Sequence, residues 1–172
     1  MKCLVLSAWC LVLGASCVVG CATDYSWRSS VPADARTVTV PTFRNESNVS
    51  EVGALASRQL LREFQREGTF KVRTSGEAAI EVQGVIKSVS PAMSAYNRRA
   101  GGRVAAYDLS ATAEISVIDK RTRKVLVDNR KYVANATFTA GQDRTTAVRD
   151  ASGRLMDDLA RQVVDDILNL KW

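Results

Sequence analysis

Hydrophobic residues repeat along this chain with two different periods, and each period predicts one kind of element. Between residues 49 and 67, apolar side chains recur at three- and four-residue steps, which draws one apolar stripe along a helix. Ser50 or Asn48 is placed to cap its start, and Gly68 suits the left-handed conformation that often follows a helix. A second stripe predicts a closing helix with Thr145 as its cap. Its members are Val148, Ser152, Leu155, Leu159, Val163 and Ile167.

A two-residue alternation predicts strands on both sides of the first helix. Residues 37–43 alternate apolar side chains with threonines, which is typical of a strand. Pro41 has no backbone N–H to donate, so it belongs at a strand end or a sheet edge. Residues 70–72 predict a short strand, and residues 80–90 predict a longer strand that runs toward Pro91.

The alternation is clearest in residues 107–117, where the odd positions are apolar and the even ones polar. Such a strand belongs to a sheet with one buried and one polar face. The charged run "DKRTRK" (119–124) connects it to a partner strand, 125–138, with a bulge near Asn129. We therefore expect an α/β (α+β) two-layer sandwich. Two amphipathic helices would pack on one face of a four- to five-stranded mixed, mostly antiparallel sheet.

The first twenty residues differ in composition from the rest of the chain. A short positive start is followed by an apolar run from Cys3 to Val19 and then by Gly20 and Cys21, the layout of a secretory signal. Residues 18–21 also resemble the bacterial lipobox, in which the cysteine is lipidated. The alternative is a permanent transmembrane anchor, since the run approaches the ~20 residues that a span needs. No basic cluster follows the run, which favours the signal.

The cysteines support lipidation at Cys21. All four lie at or before this position, so the mature chain would keep one thiol and form no internal disulfide. Ala22 follows the cysteine, and by analogy with lipoprotein sorting in enteric bacteria this favours the outer membrane. We expect a signal peptide at residues 1–20, a lipidated tether at 21–36 and a single domain at 37–172.

Charge narrows the class of partner. The chain carries 24 Lys and Arg against 18 Asp and Glu, a net charge of +6. An exported basic protein meets phosphorylated lipid head groups, anionic envelope polymers or acidic protein surfaces, and we expect no nucleic acid.

Basic residues cluster in two connections between strands. The guanidinium groups of the arginines there suit bidentate contacts to phosphate. The alternative is that charged hairpin tips keep the sheet soluble and unpaired. The candidate contact residues are Arg98, Arg99 and Arg103 in one connection, and Lys120, Arg121, Arg123 and Lys124 in the other.

Little catalytic chemistry is available. The sequence has no histidine, and an acylated Cys21 leaves no free thiol, which removes the commonest general base, the usual zinc sites and a cysteine nucleophile. The carboxylate pairs at 157–158 and 165–166 are more typical of a solvated helix face. "RRAGGR" lacks the ending of a phosphate-binding P-loop. We expect no enzymatic activity, no catalytic residue, no metal and no cofactor.

A family resemblance covers nearly the whole mature chain. The segment "WRSSVPADARTVTVPTFRNES…LASRQLLREFQREGTFKV" resembles the lipopolysaccharide-assembly lipoprotein family LptE. The matching features are the cysteine with Tyr25 nearby, the Val-Pro-x-Phe-x-Asn of residues 40–45, and a helix that ends in "GTFKV". Asp24 and Arg123 stand where this family commonly has glycine. The second departure predicts a longer hairpin turn.

The resemblance implies a non-enzymatic protein of the Gram-negative cell outer membrane, lipid-anchored on its periplasmic side. Such proteins act as a plug and assembly partner of the β-barrel protein that translocates lipopolysaccharide, and they contact that lipid through basic side chains. The same opening segment also resembles periplasmic domains related to the N-terminal part of TolB and to curli-secretion or penicillin-binding-protein-activator lipoproteins. That alternative implies a different envelope protein as the partner.

Overall fold

The elements predicted from the two periodicities occur in the expected order. The structure, a computed structural model, describes residues 31–74, 77–97, 103–139 and 144–172. The strands are β1 (Thr37–Thr39), β2 (Arg44–Asn45), β3 (Lys71–Val72), β4 (Ile80–Asn97), β5 (Arg103–Asp119) and β6 (Lys124–Thr139). The helices are α1 (Val52–Glu67) and α2 (Arg144–Leu168).

The strands form one mixed sheet in the order β3-β1-β4-β5-β6, with β2 also paired to β4. β4, β5 and β6 form an antiparallel meander, whereas β1 runs parallel to β3 and β4. The predicted mixed, mostly antiparallel sandwich is confirmed. The sheet has six strands rather than four or five because the segment around Pro41 divides the expected first strand into β1 and β2. Both pieces pair with β4, through Val38–Ile80 and Arg44–Val85.

Both helices supply apolar side chains to one core with the sheet. The predicted stripe of α1 is buried at Val52, Ala56, Leu60 and Phe64, and the odd positions of β5 from 109 to 117 are buried with it. The even positions of β5 stay partly exposed. The sheet therefore has one covered face and one open, polar face, as the alternation predicted.

The predicted helix starts are wrong. α1 begins at Val52, after Glu51 in a left-handed conformation (φ 64°), and no side chain caps it. The polar residues before it fold onto each other instead: Asn45 Nδ2 donates to the Val49 carbonyl over 2.8 Å. Thr145 cannot cap α2, because that helix already begins at Arg144. The predicted end of α1 is confirmed, since Gly68 has φ 84° and its N–H bonds the Phe64 carbonyl.

The long hairpin of β4 and β5 extends further than the sequence predicted. β4 continues through Pro91 to Asn97, beyond the strand of residues 80–90 that the sequence predicted. Pro91 pairs with Leu109 of β5, and within the described ranges no strand pairs with β4 on its other side after Ile86. A proline is tolerated there because it lies on an edge. The predicted bulge is confirmed at Asn129, which has φ 41°.

Residues 31–36, the last six of the expected tether, pack onto the domain. Val31 and Ala35 are buried in the core, and a short 3-10 turn spans Ala33–Ala35. Arg36 Nε donates to the Val31 carbonyl over 3.2 Å. The chain is therefore fixed to the domain from the first residue that the structure describes.

The backbone of Gly53 lies close to the backbone of Phe43, and this contact predicts the effect of a substitution on stability. A Cβ at this position would lie 2.4 Å from the Phe43 carbonyl oxygen, so Gly53→Ala must push α1 away from the segment before β2. We expect a loss of about 2 kcal/mol in the free energy of unfolding, measured by urea denaturation followed by circular dichroism.

Gly153 provides the matched control for this substitution. It lies inside α2, and a Cβ there meets nothing within 4 Å. Gly153→Ala should stabilise the protein by about 1 kcal/mol through helix propensity alone. A Gly53→Ala variant as stable as wild type would show that α1 does not pack this closely on Phe43.

Candidate functional site

The two basic connections lie at opposite ends of the sheet. Arg103 begins β5, whereas the β5–β6 turn follows Asp119 at the other end of this strand. β5 has 17 residues. At a rise of ~3.3 Å per residue the strand spans about 50 Å. The structure therefore does not bring Arg103 and the β5–β6 turn together. Arg98 and Arg99 lie outside the described residues.

Asp119 organises the β5–β6 turn, which consists of residues 120–123. Its buried carboxylate accepts backbone N–H bonds from Arg121 (2.9 Å) and Thr122 (3.3 Å), and Nη2 of Arg121 lies 2.8 Å away. Burial alone would raise the pKa of Asp119, but the hydrogen bonds from Arg121 and Thr122 lower it on balance. Arg123 closes the turn with φ 56°. The longer turn predicted from the missing glycine is present.

Two of the four cations in this turn region form ion pairs within the chain. Lys120 Nζ lies 2.7 Å from Glu81 Oε2, and this hydrogen bond lowers the pKa of Glu81 and raises that of Lys120. Arg121 pairs with Asp119 and also with Asp34, in the N-terminal segment. These contacts hold the turn against β4 and against the start of the domain.

Arg123 and Lys124 differ from their neighbours in the turn. Both are exposed, and the ion pairs found in the described part of the chain include neither of them. These two side chains are the cations of the turn that remain available to an external anion.

The open face of the sheet carries small polar side chains. Ser110, Thr112 and Ser116 of β5 lie on it, and the backbone N–H of Asn129 donates to Ser116 Oγ over 3.0 Å. A shallow depression of about 410 Å³ between the strands includes Gln83 and Glu114 in its lining. This face suits contact with water or with another polar surface.

α2 binds the outer strand β6 through three polar side chains, and sequence reasoning did not predict these contacts. Arg154 Nη2 donates to the Thr137 carbonyl over 3.1 Å, and Gln162 Nε2 donates to the Val133 carbonyl over 3.3 Å. Asp166 accepts the Tyr132 hydroxyl over 2.5 Å. These contacts partly cover the edge of β6 against pairing with another strand. Arg154, Gln162 and Asp166 are eight and four residues apart, which places them on one side of the helix. This spacing was the signal in the sequence that could have indicated a shared contact surface.

The prediction of a solvated helix face holds for one carboxylate of each pair in α2: Asp157 and Asp165 are exposed, whereas Asp158 and Asp166 take part in this structural network. Asp166 also pairs with Arg130, and burial together with the bond to Asp166 raises the pKa of Tyr132. Asp158 accepts a hydrogen bond from Gln162 over 2.9 Å. Within the ranges that the structure describes, no group of three or more acidic, His or Cys side chains is arranged to hold a metal ion.

The fold and the site together define a two-layer α+β scaffold with an open polar sheet face and cations at both sheet ends. The family model described as LptE, lipopolysaccharide-assembly, matches residues 35–169, and the chain belongs to this family. Membership supports a role in lipopolysaccharide assembly as a membrane-associated lipoprotein of a non-enzymatic family. Neither helix of the described residues combines the length and hydropathy that a membrane crossing requires.

Solved structures share the fold at low sequence identity. A minor lipoprotein from Acinetobacter baumannii aligns with a TM-score of 0.51 and 13% identity, covering 78% of this chain and 93% of that one. A hypothetical protein from Chlamydia trachomatis aligns with a TM-score of 0.52 and 13% identity, covering 78% and 96%. Among curated proteins, none matches this sequence.

The left-handed conformation of Arg123 predicts a stabilising substitution. A side chain at positive φ costs about 1 kcal/mol, and glycine avoids this cost. Arg123→Gly should therefore raise the midpoint of thermal unfolding by about 2–4 °C. Arg123→Ala is the control, since it removes the same charge and keeps the Cβ. Equal stabilisation by both variants would assign the effect to charge rather than to backbone strain.

The lowered pKa of Asp119 predicts how stability depends on pH. A carboxyl group whose pKa is lower in the folded state stabilises the fold above its unfolded value of 3.8 and loses this contribution as the pH falls. Asp119→Asn should cost roughly 2 kcal/mol at neutral pH, because the charged bonds to Arg121 weaken. The difference from wild type should shrink below about pH 4.

Urea denaturation across this pH range measures the difference. The exposed Asp157→Asn on α2 is the control for a changed net charge. A constant difference between wild type and Asp119→Asn at every pH would contradict the role of the ionised Asp119.

Proposed function

We propose that this protein is an outer-membrane lipoprotein, anchored through Cys21, that serves as a plug and assembly partner of the β-barrel that translocates lipopolysaccharide. The family match over residues 35–169 carries the proposal. The signal-like start and the resemblance of residues 18–21 to a lipobox support the anchor.

The open sheet face supports a docking role inside a barrel. The lumen of an outer-membrane barrel is polar, so a surface that fills it must exchange water for polar contacts. The small side chains of β5 on this face, such as Ser110 and Thr112, provide hydrogen-bonding groups without a large apolar patch. The partial cover on the β6 edge favours docking through this face.

Basic side chains at the end of the sheet away from the tether are proposed to contact lipopolysaccharide. β4 ends at Asn97 and β5 begins at Arg103, so the connection that contains Arg98 and Arg99 joins them at that end. Arginine binds phosphate with paired hydrogen bonds, and the core and lipid parts of lipopolysaccharide carry phosphates.

Capture of the intact lipoprotein tests the proposal. The protein is purified from membranes in mild detergent and its partners are identified by mass spectrometry, with the intact mass reporting acylation of Cys21. We expect a large outer-membrane β-barrel protein, together with lipopolysaccharide. The Cys21→Ser variant is the control and should lose both the acyl mass and the membrane association. Recovery of a peptidoglycan synthase instead would support the adapter or activator alternative.

Substitution of the distal arginines tests the lipid contact. Replacing Arg98, Arg99 and Arg103 together with glutamine should weaken lipopolysaccharide binding at least about tenfold, since charge-assisted hydrogen bonds contribute ~1.5–3 kcal/mol each. The unfolding midpoint should stay unchanged. The matched control replaces three exposed arginines of the helices, Arg58, Arg149 and Arg161. Equal binding by both triple variants at low salt would exclude this connection.

A further inference from the structure

The structure assigns a second contact to the β5–β6 turn: we infer that Arg123 and Lys124 lie against anionic phospholipid headgroups of the leaflet that holds the lipid anchor. This inference rests on the proposed lipidation of Cys21. Under this inference the two basic connections bind different lipids: the turn contacts phospholipid, and the connection at the opposite end of the sheet contacts lipopolysaccharide.

The N-terminal segment places the turn at the end of the domain where the tether begins. The ion pair between Arg121 and Asp34 joins the turn to residues 31–36, and burial of Val31 fixes this segment on the core. β1, which follows directly, pairs at Val38 with Ile80, and Ile80 pairs in turn with Asp119 beside the turn. The start of the domain and the β5–β6 turn therefore lie at the same end.

The length of the tether limits how far the turn end of the domain can lie from the bilayer. Cys21 precedes Val31 by ten residues. Ten residues reach at most about 35 Å in any conformation. β5 alone spans about 50 Å, which exceeds this reach. An anchor at Cys21 thus keeps Val31, and with it the turn, within about 35 Å of the membrane surface, whereas the other end of the sheet, about 50 Å further along β5, has no such restraint.

The charges of the turn suit an anionic surface. Lys120 and Arg121 are occupied by Glu81, Asp119 and Asp34, whereas Arg123 and Lys124 are exposed with no ion pair among the described residues. Adjacent cations beside an anchor are attracted to anionic lipids by ~1 kcal/mol each.

The backbone of Arg123 is an independent observation. Its φ of 56° lies in the region that glycine prefers, so the turn carries a charged residue at a cost in stability. Strain of this kind clusters at functional sites, and a contact between this cation and the headgroups would give the position such a function.

Fluorescence quenching in vesicles tests the contact on the full acylated protein. The thiol of a Val125→Cys variant is labelled, because Val125 is half exposed and lies directly after the turn region. The protein is reconstituted into vesicles of phosphatidylcholine alone or with one third phosphatidylglycerol, each with headgroup-spin-labelled lipid as the quencher. A Ser90→Cys label on β4 reports on the sheet away from the turn.

We expect strong quenching of the label at residue 125 in the anionic vesicles and weak quenching in neutral ones or in high salt. Adding Arg123→Gln and Lys124→Gln should lower the ratio of headgroup-bound to unbound turn roughly 30-fold, from ~1 kcal/mol per cation. The matched control removes two other exposed cations, through Lys131→Gln and Arg161→Gln, and should leave the quenching unchanged. The label at residue 90 should be quenched weakly throughout.

The outcomes separate this inference from the proposed function. An intact mass without acyl chains would overturn the anchor and this inference with it. Acylated, vesicle-bound protein whose quenching at residue 125 ignores lipid charge, or ignores the loss of Arg123 and Lys124, would overturn the headgroup contact alone.

Discussion

Burial of one sheet face under two helices is the interaction on which the other features depend. The odd positions of β5 between 109 and 117 have apolar side chains that pack with α1 and α2, and this burial leaves the even, polar positions on the opposite face. A one-residue slip of β5 would exchange the two faces, so the same burial also sets the strand register. The register in turn places Asp119 beside the turn and Arg103 at the far end of the sheet.

The periodic elements could be predicted from the sequence because burial itself creates their pattern. Both helices, the β5–β6 hairpin and the bulge at Asn129 follow from residue spacing and turn chemistry. The N-terminal cap of α1 could not be predicted, because Asn45 and Ser47 satisfy each other in a local turn that excludes Asn48 and Ser50 from the capping position. Continuation of β4 past Pro91 depended on the absence of a neighbour at that edge, which is a tertiary property.

The sequence predicted which basic residues make up the candidate site but not which ion pairs they form. Counting cations identifies the turn region, yet it cannot show that Arg121 reaches Asp34, which lies 87 residues earlier in the chain. Nor can it show that Lys120 binds Glu81 at the start of β4. These long-range pairs divide four similar residues into two that hold the fold and two that face solvent. The sequence showed that an arginine occupies position 123, where the family commonly has glycine. Only the structure showed that this arginine has a positive φ.

The arrangement of sheet edges and faces limits how a partner can meet this domain. α2 covers part of the β6 edge through Arg154 and Gln162, and Asp166 holds Tyr132 beside it. β1 and β2 cover the first part of β4. Among the described residues β4 has no partner on its outer side after Ile86, so this stretch of edge and the side chains of the open face remain available to a large partner. The cations of the β5–β6 turn and Arg103 lie at opposite ends of the same long strand, β5.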